Sequence, residues 1–315
     1  MNSTASPVLD MDTFIRALVH SISATLGPDV EITTSEQQKN NQVTYSCLTI
    51  RHPDRKISPN IRIDELFDTY KSGQMDITEI SDRISAAYNN ISQETNVIEE
   101  FVSDPKGISD RVFFRLINYE RNCESLASYP HFRILDLAIV FCLNIPLPDE
   151  ESGAVRIDNR IASMMELDAA GLLSLAVKNT PVLYPPEFES LDNILIGLMK
   201  RKGVPEYLIP VYVGESMHSP MKVLSNKQEY YGAGCILYPG VLEKIREEMG
   251  TDFFILPSSI NEVIIVPAEE SQSDKLVDMV RDVNSTVIPP DQILSDNVYR
   301  YPQDFGPDVI GPLFS

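Results

Sequence analysis

Short apolar runs of strand length alternate with helix-length amphipathic segments through the last two thirds of the 315-residue chain. The clearest runs are "DFFILP" and "EVIIVP", which begin at Asp252 and Glu262 and are separated by a polar turn. Short runs rich in β-branched and aromatic residues indicate strands, whereas apolar positions spaced by three and four residues indicate helices. The alternation therefore predicts a fold that combines helices with sheets.

The order of these elements repeats along the chain. Between residues 111 and 185 the order is β-α-β-β-α-β, with predicted strands "RVFFRLINY", "FRILDLAIVFCLNI", "GAVRIDN" and "PVLYPP". The same order returns between about 221 and 301, with predicted strands "GAGCILY", "DFFILP", "EVIIVP" and "NVYRYP". This is the order of a ferredoxin-like split βαβ unit. We therefore expect an α+β protein with either two ferredoxin-like βαββαβ units or one larger mixed-sheet α+β domain.

The first third of the chain predicts a smaller unit of a different kind. A helical stripe runs from Phe14 to Leu26, and a second runs from Ile77 to Ile91. Between them, "VEITTSEQQ" and "QVTYSCLTIRH" indicate a hairpin. The predicted domains are a helix-plus-hairpin domain at 1–105, a first βαββαβ-like unit with its connecting helix at 106–219, a second such unit at 220–301, and a Pro/Gly-rich tail at 302–315 that we expect to be an exposed arm.

Charge and cysteine usage restrict the partners and the location. The net charge is −20, so the surface repels nucleic acid and anionic membranes, and we expect neither as a partner. No apolar run reaches the ~18 residues of a membrane span, and the N-terminal segment does not resemble a signal peptide. The cysteines are widely scattered, which indicates reduced thiols and a cytoplasmic protein: Cys47, Cys123, Cys142 and Cys235.

Metal and cofactor signatures are absent from the sequence. None of the four histidines has the paired ligand spacing of a zinc site. The glycines of "YYGAGC" enter a predicted strand, whereas the glycines of a dinucleotide-binding loop leave a strand and open a helix. They indicate instead a bulge or a close approach of two backbones. We therefore expect no metal and no cofactor.

The polar turn between Pro257 and Glu262 is the most promising place for chemistry. Ser258 and Ser259 follow a proline at a strand end, where hydroxyl groups commonly bond to turn amides. A serine nucleophile would need a base, and Glu262 with a distant histidine such as His131 is the alternative that a hydrolase would use. Since no G-x-S-x-G elbow occurs, the sequence favours a non-enzymatic role over catalysis.

Three functions follow from these observations. The leading one is a cytoplasmic, non-catalytic binding or regulatory protein that recognises a protein or a small molecule; no oligomeric state is indicated. The second is the hydrolase just described, and the third is an acidic accessory protein that mimics nucleic acid, which the mixing of Lys and Arg with the acids disfavours. The candidate binding surface gathers polar and tyrosine side chains near one end of the predicted sheet: Asn226, Tyr230, Tyr231, Ser258, Ser259, Asn261 and Glu262.

Several strings of the sequence resemble one family. They include "LTIRHPDRKISPNIRIDELFDTYKSG", "NTPVLYPPEF", "VLSNKQEYYGAGCILYPGVLEKI", "DFFILPSSINEVIIVPAE" and "ILSDNVYRYP". Together they are similar to a family from gut-dwelling Firmicutes that is known only as a domain of unknown function. The resemblance extends from about residue 11 to 302, and it implies no activity.

Overall fold

A computed structural model describes residues 9–53, 60–91, 104, 107–146, 152–209, 219–257, 259–268 and 273–311. The chain forms two compact units: residues 1–102 with 147–149, and residues 103–146 with 150–315. Each unit combines helices with antiparallel sheets, so the predicted α+β class is confirmed.

Among its described residues, the first unit contains a three-stranded antiparallel sheet, in the order β1-β2-β3, and three α-helices. Both predicted helices and the predicted hairpin are confirmed. The elements are α1 (Met11–Leu26), β1 (Glu31–Gln38), β2 (Thr44–Arg51), β3 (Asn60–Arg62), α2 (Ile63–Lys71) and α3 (Ile77–Ile91).

The apolar stripe of α1 forms the centre of the core of the first unit. Phe14, Leu18 and Ile22 lie on one side of the helix at spacings of four residues and are fully buried. The Phe14 ring contacts the rings of Phe67 and Tyr70 on α2, with centroid distances of 5.2 and 5.1 Å. Burial of this stripe, rather than helix propensity alone, therefore holds α1 in place.

The second unit contains nine strands and seven helices among the described residues, together with a buried 3-10 helix. Its first part comprises β4 (Val112–Asn118), α4 (Cys123–Leu126), β5 (His131–Ile134), β6 (Leu137–Pro146), β7 (Ser152–Arg156), α5 (Asn159–Met164), α6 (Ala169–Leu183), β8 (Pro186–Ser190) and α7 (Leu191–Arg201). Its second part comprises β9 (Lys222–Asn226), the 3-10 helix (Gly232–Leu237), α8 (Val241–Met249), β10 (Phe253–Leu256), β11 (Val263–Pro267), α9 (Ser273–Thr286), β12 (Tyr299–Tyr301) and α10 (Pro307–Ile310).

Two antiparallel sheets organise the second unit. In the four-stranded sheet, β6 pairs with β4 along one edge and with both β5 and β7 along the other. The five-stranded sheet has the order β12-β10-β11-β9-β8. The predicted pairing of "DFFILP" with "EVIIVP" is confirmed, since β10 and β11 are hydrogen-bonded neighbours. The ferredoxin-like arrangement is not confirmed, and the predicted domain boundaries stay a prediction.

The run "FRILDLAIVFCLNI" forms two strands, although one was predicted. β5 and β6 make a hairpin whose turn contains Leu135 and Asp136, and Leu135 has a positive φ of 54°. The Asp136 carboxylate accepts hydrogen bonds from Ser295 Oγ, Asn297 Nδ2 and Tyr299 OH. These bonds come from the segment before β12 and from the first residue of β12, so contacts distant in sequence stabilise the turn.

Two other predicted strands are helical. The residues of "PVLYPP" from Pro181 to Leu183 complete α6, because Tyr184 N still donates to Thr180 O and continues the helical pattern. The strand begins at Pro186 and pairs with β9. The run "GAGCILY" forms the buried 3-10 helix instead of a strand. A short apolar run does not show enough of a periodic pattern to distinguish a helix from a strand. Its burial against the rest of the unit therefore determines which of the two forms.

The predicted exposed arm is wrong for its first part. Phe305 is fully buried and packs edge-on against the ring of Tyr299, with 5.1 Å between centroids. Residues 312–315 lie outside the described residues. Within the described part of the chain, every helix is too short or too polar to cross a membrane.

Candidate functional site

The polar turn between β10 and β11 is closed by its own side chains. Ser259 is 3% exposed; its Oγ accepts from Asn261 N at 3.0 Å and donates to Glu262 Oε1 at 3.2 Å. His131 has other contacts, since its Nδ1 lies 2.8 Å from Tyr129 O and its ring lies beside Tyr119. Ser258 lies outside the described residues. Ser259 thus has the contacts of a turn former, and the hydrolase stays a prediction.

Two asparagines connect this turn to the loop that follows β9, residues 227–231, which we call the tyrosine loop. Asn226 is 1% exposed, and its side chain bonds to Gln228 N and to both the N and the O of Tyr230. Asn261 Oδ1 accepts from Tyr231 N at 3.1 Å, and Asn261 O accepts from Ser225 Oγ at 2.7 Å. The two amide side chains therefore determine where Tyr230 and Tyr231 lie.

The backbone passes very close to neighbouring segments at Gly232, where the tyrosine loop ends and the 3-10 helix begins. A Cβ atom placed on Gly232 would overlap Ser225 Oγ, Asn261 O and Asn226 N. The close approach that the sequence predicted for these glycines is confirmed at this position. The preceding residue, Tyr231, has a left-handed backbone with φ of 56°, a conformation that is unfavourable for a bulky residue and that clusters at functional sites.

The tyrosine loop faces an arginine on the four-stranded sheet. Tyr230 OH donates to Tyr231 OH at 2.8 Å, and the Tyr231 ring stacks near Phe113 of β4. The guanidinium carbon of Arg115, also on β4, lies 4.4 Å from the centroid of the Tyr231 ring. Arg115 is a charged residue, but it is only 9% exposed and lies in a strand whose other residues are largely apolar. The loop thus covers a buried cation.

A second arginine approaches the same place from the other side of β6. Arg156 on β7 is paired with Cys142 of β6, and Cys142 is paired with Phe113, so these three side chains form one row across the sheet face. Arg115 is paired with Val140 and lies in the adjacent row. The Arg156 guanidinium carbon lies 4.3 Å from the centroid of the Tyr129 ring. Each guanidinium is therefore stacked on its own tyrosine.

We call this group the arginine–tyrosine site. It is defined by Arg115, Arg156, Tyr129, Tyr230, Tyr231 and Cys142, all within the second unit.

The two guanidinium groups lack a carboxylate partner. Among the described residues, no Asp or Glu forms an ion pair with Arg115 or Arg156, and the buried atoms Arg115 Nε and Arg156 Nη1 have no hydrogen-bond partner. Burial, followed by the neighbouring charge of Arg115, lowers the pKa of Arg156. Burial raises the pKa of the Cys142 thiol, against the opposing effect of both arginines. Two like charges are thus held close together in a poorly hydrated place.

Only part of this site was predicted from the sequence. Hydrogen bonds connect Asn226, Tyr230, Tyr231, Asn261, Ser259 and Glu262 into one region. Its cationic residues, Arg115 and Arg156, were missed. A signal was present in "VFFRLIN", where one arginine interrupts an apolar strand, because an unpaired charge in such a run is rare unless it has a specific role.

The asparagine contact allows a direct test of the loop. We expect Asn261→Ala to lower the free energy of unfolding by about 1 kcal/mol, because Tyr231 N loses its acceptor. Asn261→Asp keeps a carboxylate oxygen at the same place and should retain most of that stability. Urea denaturation of both variants would measure the difference, and equal losses would show that the hydrogen bond does not hold the loop.

Comparison with known families identifies the chain. The model of a family of unknown function (DUF5688) matches residues 11–303. The chain belongs to this family. The predicted membership of a domain family of unknown function is thus confirmed for DUF5688, while the origin in Firmicutes stays an expectation. Comparison with curated proteins and with solved structures gave no match.

Metal binding has no support among the described residues of this DUF5688 chain. No three His, Cys, Asp or Glu side chains there lie close enough to hold an ion. The donors at the arginine–tyrosine site are cationic or phenolic N–H and O–H groups, which suit an anion rather than a metal.

Proposed function

We propose that the protein is a cytoplasmic, non-catalytic binding protein that takes up a small anionic ligand at the arginine–tyrosine site. The observation that carries the proposal is a buried guanidinium, that of Arg115, beside the half-buried guanidinium of Arg156, with no carboxylate partner for either among the described residues. Removing an ion from water costs several kcal/mol unless another charge compensates it. An anionic ligand would supply that compensation.

The chemistry of the two side chains supports an oxyanion. A guanidinium is planar and offers two parallel N–H donors that match a carboxylate or phosphate group. Arg115 Nε and Arg156 Nη1 have no hydrogen-bond partner, so each group has an N–H donor left for a ligand. Charges farther away than about 8–10 Å are largely screened at physiological salt. The attraction of an anion to the two nearby arginines therefore outweighs its repulsion by the net charge of −20.

Location and origin are further parts of the proposal. The four cysteines are unpaired in the structure, and three of them are buried, which supports a reducing compartment such as the cytoplasm. The expected source in gut-dwelling Firmicutes rests on the family resemblance alone.

Sulfate is a suitable first probe of the site. We expect sulfate, compared with chloride at equal ionic strength, to raise the thermal unfolding midpoint of the full chain. Ligand at 100 times its Kd stabilises a protein by about 2.7 kcal/mol. Sulfate also stabilises proteins without binding a specific site, so the informative quantity is the part of the shift that depends on the arginines.

Arginine variants separate the binding of sulfate at the site from its general stabilising effect on proteins. Arg115→Met and Arg156→Met should lose the site-dependent part of the shift. Arg133→Met is the matched control, because Arg133 is exposed, pairs with Glu120 and stacks on Tyr119 on the same sheet. This control should respond to sulfate as the unaltered chain does. Equal shifts in the unaltered chain and in Arg115→Met would overturn the proposal.

A further inference from the structure

We infer that the ligand of the arginine–tyrosine site carries a tetrahedral dianionic group, a phosphate monoester or a sulfate, with one guanidinium for each negative charge. This inference rests on the proposed function, since it assumes that the site binds an anion. It adds the charge and the shape of the group that is recognised.

Charge balance is the first argument. Arg115 and Arg156 each carry one positive charge, and no described carboxylate neutralises either of them. A monoanion such as a single carboxylate would leave one poorly hydrated positive charge without compensation. A dianion leaves the site neutral.

The position of the two arginines is the second argument. They extend from β4 and β7, the strands on either side of β6, and Cys142 of β6 lies close enough to both for their charges to act on its thiol. Because both arginines act on this one thiol, they lie close enough together for a single ligand to contact an N–H group of each. Two guanidinium groups from strands on either side of β6 can contact more oxygen atoms of a tetrahedral group than of a flat carboxylate.

The tyrosine hydroxyls are the third argument. Tyr230 OH donates to Tyr231 OH, so the proton of the Tyr231 hydroxyl remains available to a ligand oxygen. Burial, followed by the influence of Tyr231, raises the pKa of Tyr230, which therefore stays a neutral donor. The polar groups that surround the site are thus donors, as a fully deprotonated oxyanion requires.

Methyl phosphate and methyl sulfate provide the test, because they share one shape and differ by one charge at pH 7.5. The second pKa of a phosphate monoester is about 6. We expect titration calorimetry at pH 7.5 to show methyl phosphate binding at least tenfold more tightly than methyl sulfate. At pH 5 the ratio of the two affinities should fall about tenfold, because most methyl phosphate is then a monoanion.

The ratio isolates the charge of the ligand. At each pH both ligands meet the same protein, so the two ligands differ there only in their charge. Titration with inorganic sulfate distinguishes a free oxyanion from a phosphate monoester as the ligand. If sulfate binds as tightly as methyl phosphate, the ligand is a free oxyanion. If methyl phosphate binds more tightly, the ligand is a monoester.

Failure of this inference can be distinguished from failure of the proposed function. If methyl sulfate and methyl phosphate bind equally at pH 7.5, and Arg115→Met abolishes both, the site binds anions but the dianion inference is overturned. If methyl phosphate, methyl sulfate, sulfate and acetate all fail to bind the unaltered chain, the proposed function itself is overturned. Arg133→Met serves as the control for folding and surface charge in both cases.

Discussion

In the absence of an added anion, Arg115→Met is expected to raise the free energy of unfolding of the second unit by about 1–2 kcal/mol. A buried charge without a partner is costly, and methionine fills a similar volume without it. This figure is the net gain, after the loss of the contact with Tyr231, which is worth about 0.5–2 kcal/mol. Residues kept for binding commonly reduce stability in this way.

Hydrogen exchange of the backbone amides of β4 and β6 would measure this change within the second unit alone. The control, Arg133→Met, removes an exposed ion pair, an exposed ring contact and an exposed hydrogen bond to Leu135 O, and should change stability by about 1 kcal/mol or less. A loss of stability in Arg115→Met would instead show that the arginine serves the fold. A gain in stability together with a loss of anion binding would support a role in binding.

Gly232→Ala is expected to lower the free energy of unfolding of the second unit by about 2–3 kcal/mol. Its new methyl group would overlap Ser225 Oγ and two backbone atoms, Asn261 O and Asn226 N. Backbone atoms on paired strands and tight turns have little room to move, so β9 and the turn after β10 would separate. Because Tyr231 precedes this glycine, the variant should also weaken anion binding.

Gly197→Ala is the matched control for the glycine variant. Gly197 lies in the interior of α7, and a Cβ atom there meets no other atom within 4 Å. Alanine should therefore stabilise the chain by about 0.5–1 kcal/mol through helix propensity. Urea denaturation of both variants would test the contrast, and a Gly232→Ala variant as stable as the unaltered chain would contradict the close packing of the loop.

The sequence by itself determined the elements that have a long period or a clear partner. The stripes of α1 and α3 extend over several turns, so their helical spacing is unambiguous. The β10–β11 hairpin joins two apolar runs through a polar turn, and its pairing is local. Tyr230, Tyr231 and Asn261 were also recognised as candidate binding residues, because polar and aromatic side chains near a strand end are available for contacts.

Only the tertiary structure decided the elements and contacts that depend on distant parts of the chain. The run "GAGCILY" is too short to reveal a period, and its 3-10 form follows from the close contact of Gly232 with β9 and the β10–β11 turn. Arg115 and Arg156 are far apart in sequence, and pairing of β4 and β7 with the same strand brings them together. The physical reason is that pairing places distant residues on one face, whereas sequence spacing describes only neighbours on the same element.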